Sequence, residues 1–205
     1  MRRLLAPVPP DRRVRRCAQL LAGLVLYGVT AAMLVLAGLG LDPWDVLHQG
    51  LSRTFGLGIG TWVVLISFVV LLAWCPLRQR PGVGTIANAV IVGATIDLVL
   101  SLLHPPHALW QRILLLAGAV AGNGVATGFY IGAGLGPGPR DGLSTGIAAG
   151  RHSMRVVRTS IEATVLATGF LLGGTVGIGT LLYAVAIGPI THHTIPRLAI
   201  RRRGT

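Results

Sequence analysis

Acidic side chains that could do chemistry are rare in this 205-residue chain, which has six Asp and Glu. Asp97 is the most unusual, because it lies within an apolar stretch where a carboxylate costs at least ~2.5–3.5 kcal/mol on membrane-insertion scales. A carboxylate at such a position is a candidate for proton relay or ion coupling. The alternative is a carboxyl group that is hydrogen-bonded to Ser, Thr or backbone near the outer interface.

Three further carboxylates, Asp42, Asp45 and Asp141, belong to a motif that occurs twice, as GLGLDPWDVL at 38–47 and GLGPGPRDGL at 134–143. Gly38 returns as Gly134 and Asp45 returns as Asp141, both 96 positions later. A constant offset across unrelated residue types indicates an internal duplication.

The motif is typical of a helix stop followed by a capped restart. Its glycines end one helix, Asp42 is the expected N-cap of the next, and Pro43 suits the first helical position. We expect Asp45 and Asp141 to be caps first, with contact to a ligand at the helix N-terminus as the alternative. Arg140 replaces Trp44 in the second copy, and Asp42 is replaced by Gly, so the two sites differ in charge.

Two other polar residues lie in apolar surroundings. Asn123 is flanked by small residues, which favours close helix packing or a broken helix at a central site. His192 corresponds to Asp97 at an offset of 95, and packing at the interface is favoured for it because adjacent histidines on a helix point to different faces. The candidate residues of a substrate or ion path are therefore Asp97, Asn123, Asp45, Asp141, Arg140 and His192.

Composition indicates an integral membrane protein. The chain is 52% hydrophobic and 12% charged, whereas soluble domains carry about a quarter charged residues. The net charge of +12 comes from arginines in the tails and short loops, which excludes a nucleic-acid surface and suggests anionic lipid headgroups as neighbours. No pattern indicates a metal site, a cofactor or a catalytic set, so we expect no enzyme.

The apolar segments predict an all-α fold with six transmembrane helices in two three-helix repeats. Each repeat has a short, non-spanning helix after its first span. The predicted organisation is a basic tail at 1–17, repeat 1 at 18–103 (spans 18–38, 61–77 and 84–103, short helix 43–54), repeat 2 at 104–196 (spans 109–131, 156–172 and 180–195, short helix 139–150) and a basic tail at 197–205. Three of the helix starts carry the tetrapeptide Gly-x-Gly-Thr, in which we expect Thr to cap and Gly to permit a tight turn.

The arginines also predict orientation. With both termini cytoplasmic, 16 arginines lie inside and only Arg53 and Arg112 lie outside. Three spans per repeat is an odd number, so the second repeat would enter the membrane inverted, an arrangement shared by many secondary transporters. The Asp45 motif would then lie on the outer side and the Asp141 motif on the inner side.

The duplicated Gly-Leu-Gly-x-x-Pro-x-Asp-x-Leu motif and the six apolar segments resemble the YczE/YitT group of bacterial integral membrane proteins over roughly residues 18–196. The resemblance implies a fold and a plasma-membrane location and implies no reaction. Two functions stay open: a small permease-like transporter of an unknown solute, and a non-transporting scaffold or accessory protein. Homo-oligomerisation stays open for both.

The predicted topology can be checked by cysteine labelling. In a chain in which Cys17 and Cys75 are replaced by Ser, an impermeant maleimide should label Arg53→Cys in intact cells. Gln79→Cys should react only after the inner face is exposed. The reverse pattern would contradict the inverted repeat.

Overall fold

The computed structural model describes residues 11–149 and 153–200. Within these ranges the chain is all-helical, with eight helices and no strand, and the predicted all-α class is confirmed. The helices are α1 (Arg13–Ala37), α2 (Pro43–Phe55), α3 (Ile59–Ala73), α4 (Val83–Leu102), α5 (Leu109–Gly132), α6 (Pro139–Ala148), α7 (Met154–Leu171) and α8 (Ile178–Leu198). Most of the two predicted basic tails lies outside the described residues.

Three of the described helices, α1, α4 and α5, are long and apolar enough to cross a membrane. The number rises to four if α2 and α3, which meet at an angle of 113°, are one broken span. Six spans and their inverted arrangement therefore stay a prediction.

α1 and α5 form the most extensive helix–helix contact. Each of the two helices also has an arginine that donates a hydrogen bond to the C-terminal end of the other helix. Arg16 Nη1 donates to the Ala133 carbonyl at 2.8 Å, and Arg112 Nε donates to the Ala37 carbonyl at 2.7 Å. Both carbonyls lie at helix C-termini, where unpaired C=O groups and the helix dipole favour a cation.

The first of these arginines also explains why α1 begins at Arg13, earlier than the predicted residue 18. Arg16 is only 2% exposed, and its guanidinium forms an ion pair with Asp11 at 2.9 Å. The hydrogen bond from Arg16 lowers the pKa of Asp11. Residues that the sequence assigned to a surface tail are therefore part of the packed helix.

Two loop-to-helix contacts repeat at the spacing of the duplicated motif. Gly84 N at the start of α4 donates to the Leu135 carbonyl at 2.9 Å, and Gly179 N at the start of α8 donates to the Leu39 carbonyl at 2.8 Å. Each motif thus packs against the last helix of the other half of the chain.

The threonines of these helix starts complete the contacts. Thr85 Oγ1 accepts from Gly82 N at 3.0 Å, and Thr180 Oγ1 accepts from Gly177 N at 3.3 Å. The capping role expected for Thr in these two Gly-x-Gly-Thr strings is confirmed. In the third string, at the start of α3, the backbone and the threonine donate hydrogen bonds to the side chain of Asp97.

The two halves differ in how their last two long helices pack. α3 and α4 meet along Gly60 and Gly93, where a Cβ on either glycine would overlap the carbonyl oxygen of the other. α7 and α8, the corresponding pair, do not pack along each other over their described residues. Gly188, which follows Gly93 by 95 positions, has open space where a Cβ would be.

This difference predicts opposite effects for one substitution at two related positions. Gly93→Ala should destabilise the protein by about 1–3 kcal/mol, because the methyl group has no room between the helices. Gly188→Ala is the matched control and should be neutral or slightly stabilising. Thermal unfolding of the purified variants in detergent measures both, and equal shifts would contradict the described packing.

Candidate functional site

The first residues of the short helices α2 and α6 line one cavity and are joined by a side-chain contact. α2 starts at Pro43, and its N-cap is Asp42, as the sequence predicted. Asp42 Oδ1 accepts from the backbone N–H groups of Trp44 and Asp45, both at 2.9 Å. α6 starts at Pro139 after Gly138, which offers no side-chain cap.

Arg140 joins the two short helices. Its Nη1 lies 3.7 Å from Asp42 Oδ1, and its Nη2 lies 3.5 Å from Asp45 Oδ1. The guanidinium also lies over the ring of Trp44, 5.1 Å from the centroid, which is a cation–π contact. Arg140 was counted with the cytoplasmic loop arginines, whereas its side chain lies at this contact between the helices and is 23% exposed.

The carboxylate of Asp45 is turned away from the amides of its own helix. Its Oδ1 lies 3.1 Å from His48 Nδ1, and both side chains are buried. The Oδ2 atoms of Asp42 and Asp45 have no hydrogen-bond partner among the described residues. The expectation that Asp45 is a cap is therefore wrong, because Asp42 already occupies the amides of the first turn.

Asp141 is bound from outside its own helix as well. Its Oδ2 accepts from the hydroxyl of Tyr130 on α5 at 2.8 Å. No side-chain cap is described at the start of α6. The cap role expected for Asp141 is thus also wrong.

A cavity of about 390 Å³ adjoins this meeting point. Its wall comes from both halves of the chain and contains acids, one central arginine and aromatic rings. The polar and aromatic side chains of this wall include Tyr27, Asp42, Trp44, Asn88, Tyr130, Arg140, Asp141, Ser144, Arg158, Glu162, Tyr183 and Thr191. Arg158 and Glu162 form the ion pair that their spacing on one helix face predicted, with Nε and Oε1 2.9 Å apart.

Asn123 supports the cavity wall from behind. It is fully buried, donates to Thr30 Oγ1 at 3.2 Å and accepts from the Tyr183 hydroxyl at 2.9 Å. Tyr183 lines the cavity, so Asn123 positions a wall residue through one hydrogen bond. The continuous helix α5 around Asn123 matches the packing interpretation, and the described helix is unbroken there.

Asp97 lies away from this cavity, at the start of α3. Its carboxylate accepts from Gly60 N at 2.7 Å, from Thr61 N at 2.8 Å and from Thr61 Oγ1 at 2.9 Å. These contacts match the second of the two open interpretations, a carboxyl hydrogen-bonded to Thr and backbone. An acid from α4 thereby caps the N-terminus of α3.

His192 is exposed on α8 and is not part of the cavity wall. Its ring lies 5.9 Å from that of His193, whose Nδ1 is 3.1 Å from the Pro189 carbonyl. Among the described residues, no group of three His, Cys, Asp or Glu could hold a metal ion. Of the six candidates, the structure brings Arg140 to Asp45 and places Arg140 and Asp141 on one cavity wall, with Asn123 behind that wall.

Three tyrosines of the wall were missed by sequence reasoning. The duplication offered a signal for two of them, since Tyr27 corresponds to Asn123 at an offset of 96 and Asn88 corresponds to Tyr183 at an offset of 95. Tyrosine and asparagine thus exchange places between the two halves. Tyr130 has no polar counterpart, and only the fold places it beside Asp141.

Comparison with known proteins places the chain in a family. A family of unknown function, DUF6198, matches residues 14–196. The chain belongs to the DUF6198 family. A Haemophilus influenzae relative named "Uncharacterized protein" is 41% identical over 172 residues, which cover 83% of this chain and 79% of the relative.

Two Bacillus subtilis relatives extend this result. "Uncharacterized membrane protein YczE" is 31% identical over 179 residues (86% of this chain, 83% of the relative), and "Uncharacterized protein YyaS" is 28% identical over 179 residues (85% and 89%). The resemblance to YczE-type proteins is confirmed. No solved structure matches the chain. The relation to YczE and the long apolar helices identify this DUF6198 protein as a membrane protein.

The Arg140 contacts predict that this arginine stabilises the fold. Arg140→Gln should lower the free energy of unfolding by about 2 kcal/mol, because two buried carboxylates lose their cation. The expected cost is below the ~3–5 kcal/mol of a fully buried pair, since Arg140 is partly exposed. Adding Asp45→Asn should recover part of the loss in thermal unfolding.

Arg158→Gln is the control for this experiment. Its ion pair with Glu162 is largely exposed, so its removal should change stability by less than ~1 kcal/mol. A double variant no more stable than Arg140→Gln alone would contradict the role of Arg140 as the partner of Asp45.

Proposed function

We propose that the chain is a small secondary transporter of the bacterial plasma membrane and that the cavity beside Arg140 is its solute site. In this proposal α1, α3, α4, α5, α7 and α8 are six spans in two inverted repeats. The short helices α2 and α6 enter from opposite sides and meet at the centre. No enzymatic reaction is proposed, and the arginine-rich tails are assigned to anionic headgroups.

The paired contacts support the inverted arrangement. The same backbone hydrogen bond occurs at both copies of the motif, from Gly84 to Leu135 and from Gly179 to Leu39. Arg16 and Arg112 make the same contact with the opposite helix end, again 96 positions apart. Reciprocal contacts of this kind are expected where two halves are related by a two-fold axis.

The observation that carries the transport proposal is the unequal packing of corresponding helices. α3 and α4 are closed against each other at Gly60 and Gly93, while α7 and α8 lie apart and the cavity extends between them. In inverted-repeat transporters the two halves exchange such conformations, which moves access from one side to the other. A scaffold protein that does not change conformation would not require corresponding helix pairs to pack differently.

α8 has the features required to move. Gly188 is followed by Pro189 inside the helix, and a proline there removes a backbone hydrogen bond and permits a bend. Gly188 lines the cavity and leaves room for α7 to approach. By the arginine distribution the open side faces the cytoplasm, since Arg158 and Thr191 lie toward the predicted inner ends of their helices.

Labelling of the cavity from each side of the membrane tests this function without knowledge of the solute. Ser144 is 8% exposed and lines the cavity. In a chain lacking Cys17 and Cys75, Ser144→Cys should react with an impermeant maleimide in both inside-out vesicles and intact cells, because access alternates. Ser101→Cys, at the predicted outer end of α4, should react in intact cells alone.

A second variant separates alternating access from a simple leak. Gly188→Phe should prevent α7 and α8 from closing, so it should abolish labelling of Ser144→Cys in intact cells and retain it in inside-out vesicles. Labelling from one side only, without the Phe substitution, would favour the scaffold. Labelling from the outer side that survives Gly188→Phe would indicate a permanent pore.

A further inference from the structure

The cavity wall also carries information about the charge of the solute. We propose that the cavity binds a small organic cation, with Asp42 and Asp141 as its anionic anchors and the rings of Tyr27, Tyr130 and Tyr183 as its apolar wall. This inference rests on the proposed transport function and adds the class of solute to it.

The acids around the cavity outnumber the cations. Asp42 and Asp45 lie beside the guanidinium of Arg140, and Asp141 lies on the same cavity wall, while Arg158 is paired with its own partner, Glu162. If the His48 ring is counted as a second cation beside Arg140, the three aspartates still exceed the cations by one. A negative excess in a partly closed cavity attracts a cation and repels an anion.

Arg140 is a poor receptor for an anionic solute, because its charge is already engaged. Both of its terminal nitrogens point at carboxylates, and one face of the guanidinium covers the Trp44 ring. An anion that reached Arg140 would also lie close to two buried carboxylates of its own charge, which opposes its binding. A cation can add to the cluster without breaking any of these contacts.

The carboxylate of Asp42 has one oxygen free for such a cation. Oδ1 accepts both amide hydrogen bonds of the cap, while Oδ2 has no partner among the described residues. The side chain is 3% exposed, and the residue lines the cavity. A buried acceptor without a partner costs about 1–3 kcal/mol, and in our proposal an ammonium group that approaches Asp42 from the cavity lowers this cost.

Asp141 offers a second acceptor on the other short helix. Its hydrogen bond comes from the neutral Tyr130 hydroxyl, so its negative charge is not balanced by that contact. Asp141 and Asp42 lie on the wall of the same cavity and belong to opposite copies of the duplicated motif. A cation between them would contact both halves of the chain.

The aromatic part of the wall favours an organic cation over a metal ion. Tyr27 and Tyr130 stack edge to face with centroids 6.0 Å apart, and Tyr183 is fixed by Asn123. Tyrosine faces bind alkylammonium groups through cation–π attraction, whereas bare metal ions need several oxygen ligands at short distance. A volume of about 390 Å³ is at the lower end of small-molecule pockets, which suits a compact solute.

Calorimetric titration of the full-length protein in nanodiscs tests the inference. Tetraethylammonium and butylammonium chloride are the cationic probes, and sodium butyrate is an anion of similar size. At least one cation should bind saturably, and butyrate should not compete with it. Asp42→Asn should weaken binding about tenfold or more, because asparagine keeps the N-cap but removes the charge.

Asp141→Asn should also weaken cation binding, and it carries the test if Asp42→Asn does not fold. Asp97→Asn is the matched control, since the same chemical change is made at a carboxylate outside the cavity. Its affinity should equal that of the unchanged protein. Thermal unfolding of each variant reports whether the fold is retained.

Three results would overturn the inference: neither cation binds, Asp42→Asn and Asp141→Asn bind as tightly as the unchanged protein, or butyrate binds and loses affinity on Arg140→Gln. The last result would make the cavity an anion site. Two-sided labelling of Ser144→Cys is independent of the probe, so it shows separately whether the proposed transport function stands when the cation assignment fails.

Discussion

The contact of Arg140 with Asp42 and Asp45 is the constraint on which the centre of the molecule depends. Two short helices bring their N-termini together, and the first contributes two carboxylates that are nearly inaccessible to solvent. Removing such groups from water costs several kcal/mol for each ion unless a cation is near. One guanidinium supplies that cation and closes over the Trp44 ring, so the position of α6 relative to α2 is fixed by charge and by ring contact together.

This contact also explains why the two copies of the motif differ. Trp44 and Arg140 are equivalent positions 96 residues apart, and they touch each other. In the proposed inverted arrangement an identical residue near the two-fold axis would face itself, so two arginines would repel and two tryptophans would leave the acids without a cation. The replacement of Asp42 by glycine at residue 138 follows the same logic, because a further carboxylate would add to the negative excess.

The duplication made much of the fold accessible from sequence. The eight helices are all found in the order of the predicted segments, and Asp42, Thr85 and Thr180 act in the caps expected for them. These features depend on a few neighbouring residues, which a sequence displays directly. Asp45, Asp97 and Asp141 each also contact a partner 11 to 95 positions away, and only the fold shows these contacts.

Corresponding residues in the two halves need not have corresponding surroundings. Gly93 and Gly188 occupy the same place in the duplication, yet one is closed against a neighbouring helix and the other faces empty space. Intrinsic sequence preference alone does not account for this, since both are glycines in a helix. The partner helices differ: Gly60 on α3 offers a bare backbone to Gly93, whereas the position 95 residues after Gly60 is Arg155.

That pairing has a physical consequence for the proposed exchange between halves. A long, charged side chain at Arg155 cannot lie against Gly188 as the backbone of Gly60 lies against Gly93, so α7 and α8 cannot close with the same contact. Closure in the proposed cycle would need a different register, with the exposed Arg155 side chain kept at the membrane surface, where its charge stays hydrated. The two conformations of the proposed cycle therefore differ in the contact that closes them. A cation bound by Asp42 at the start of α2 and by Asp141 on α6 would add a link between the two halves of the chain.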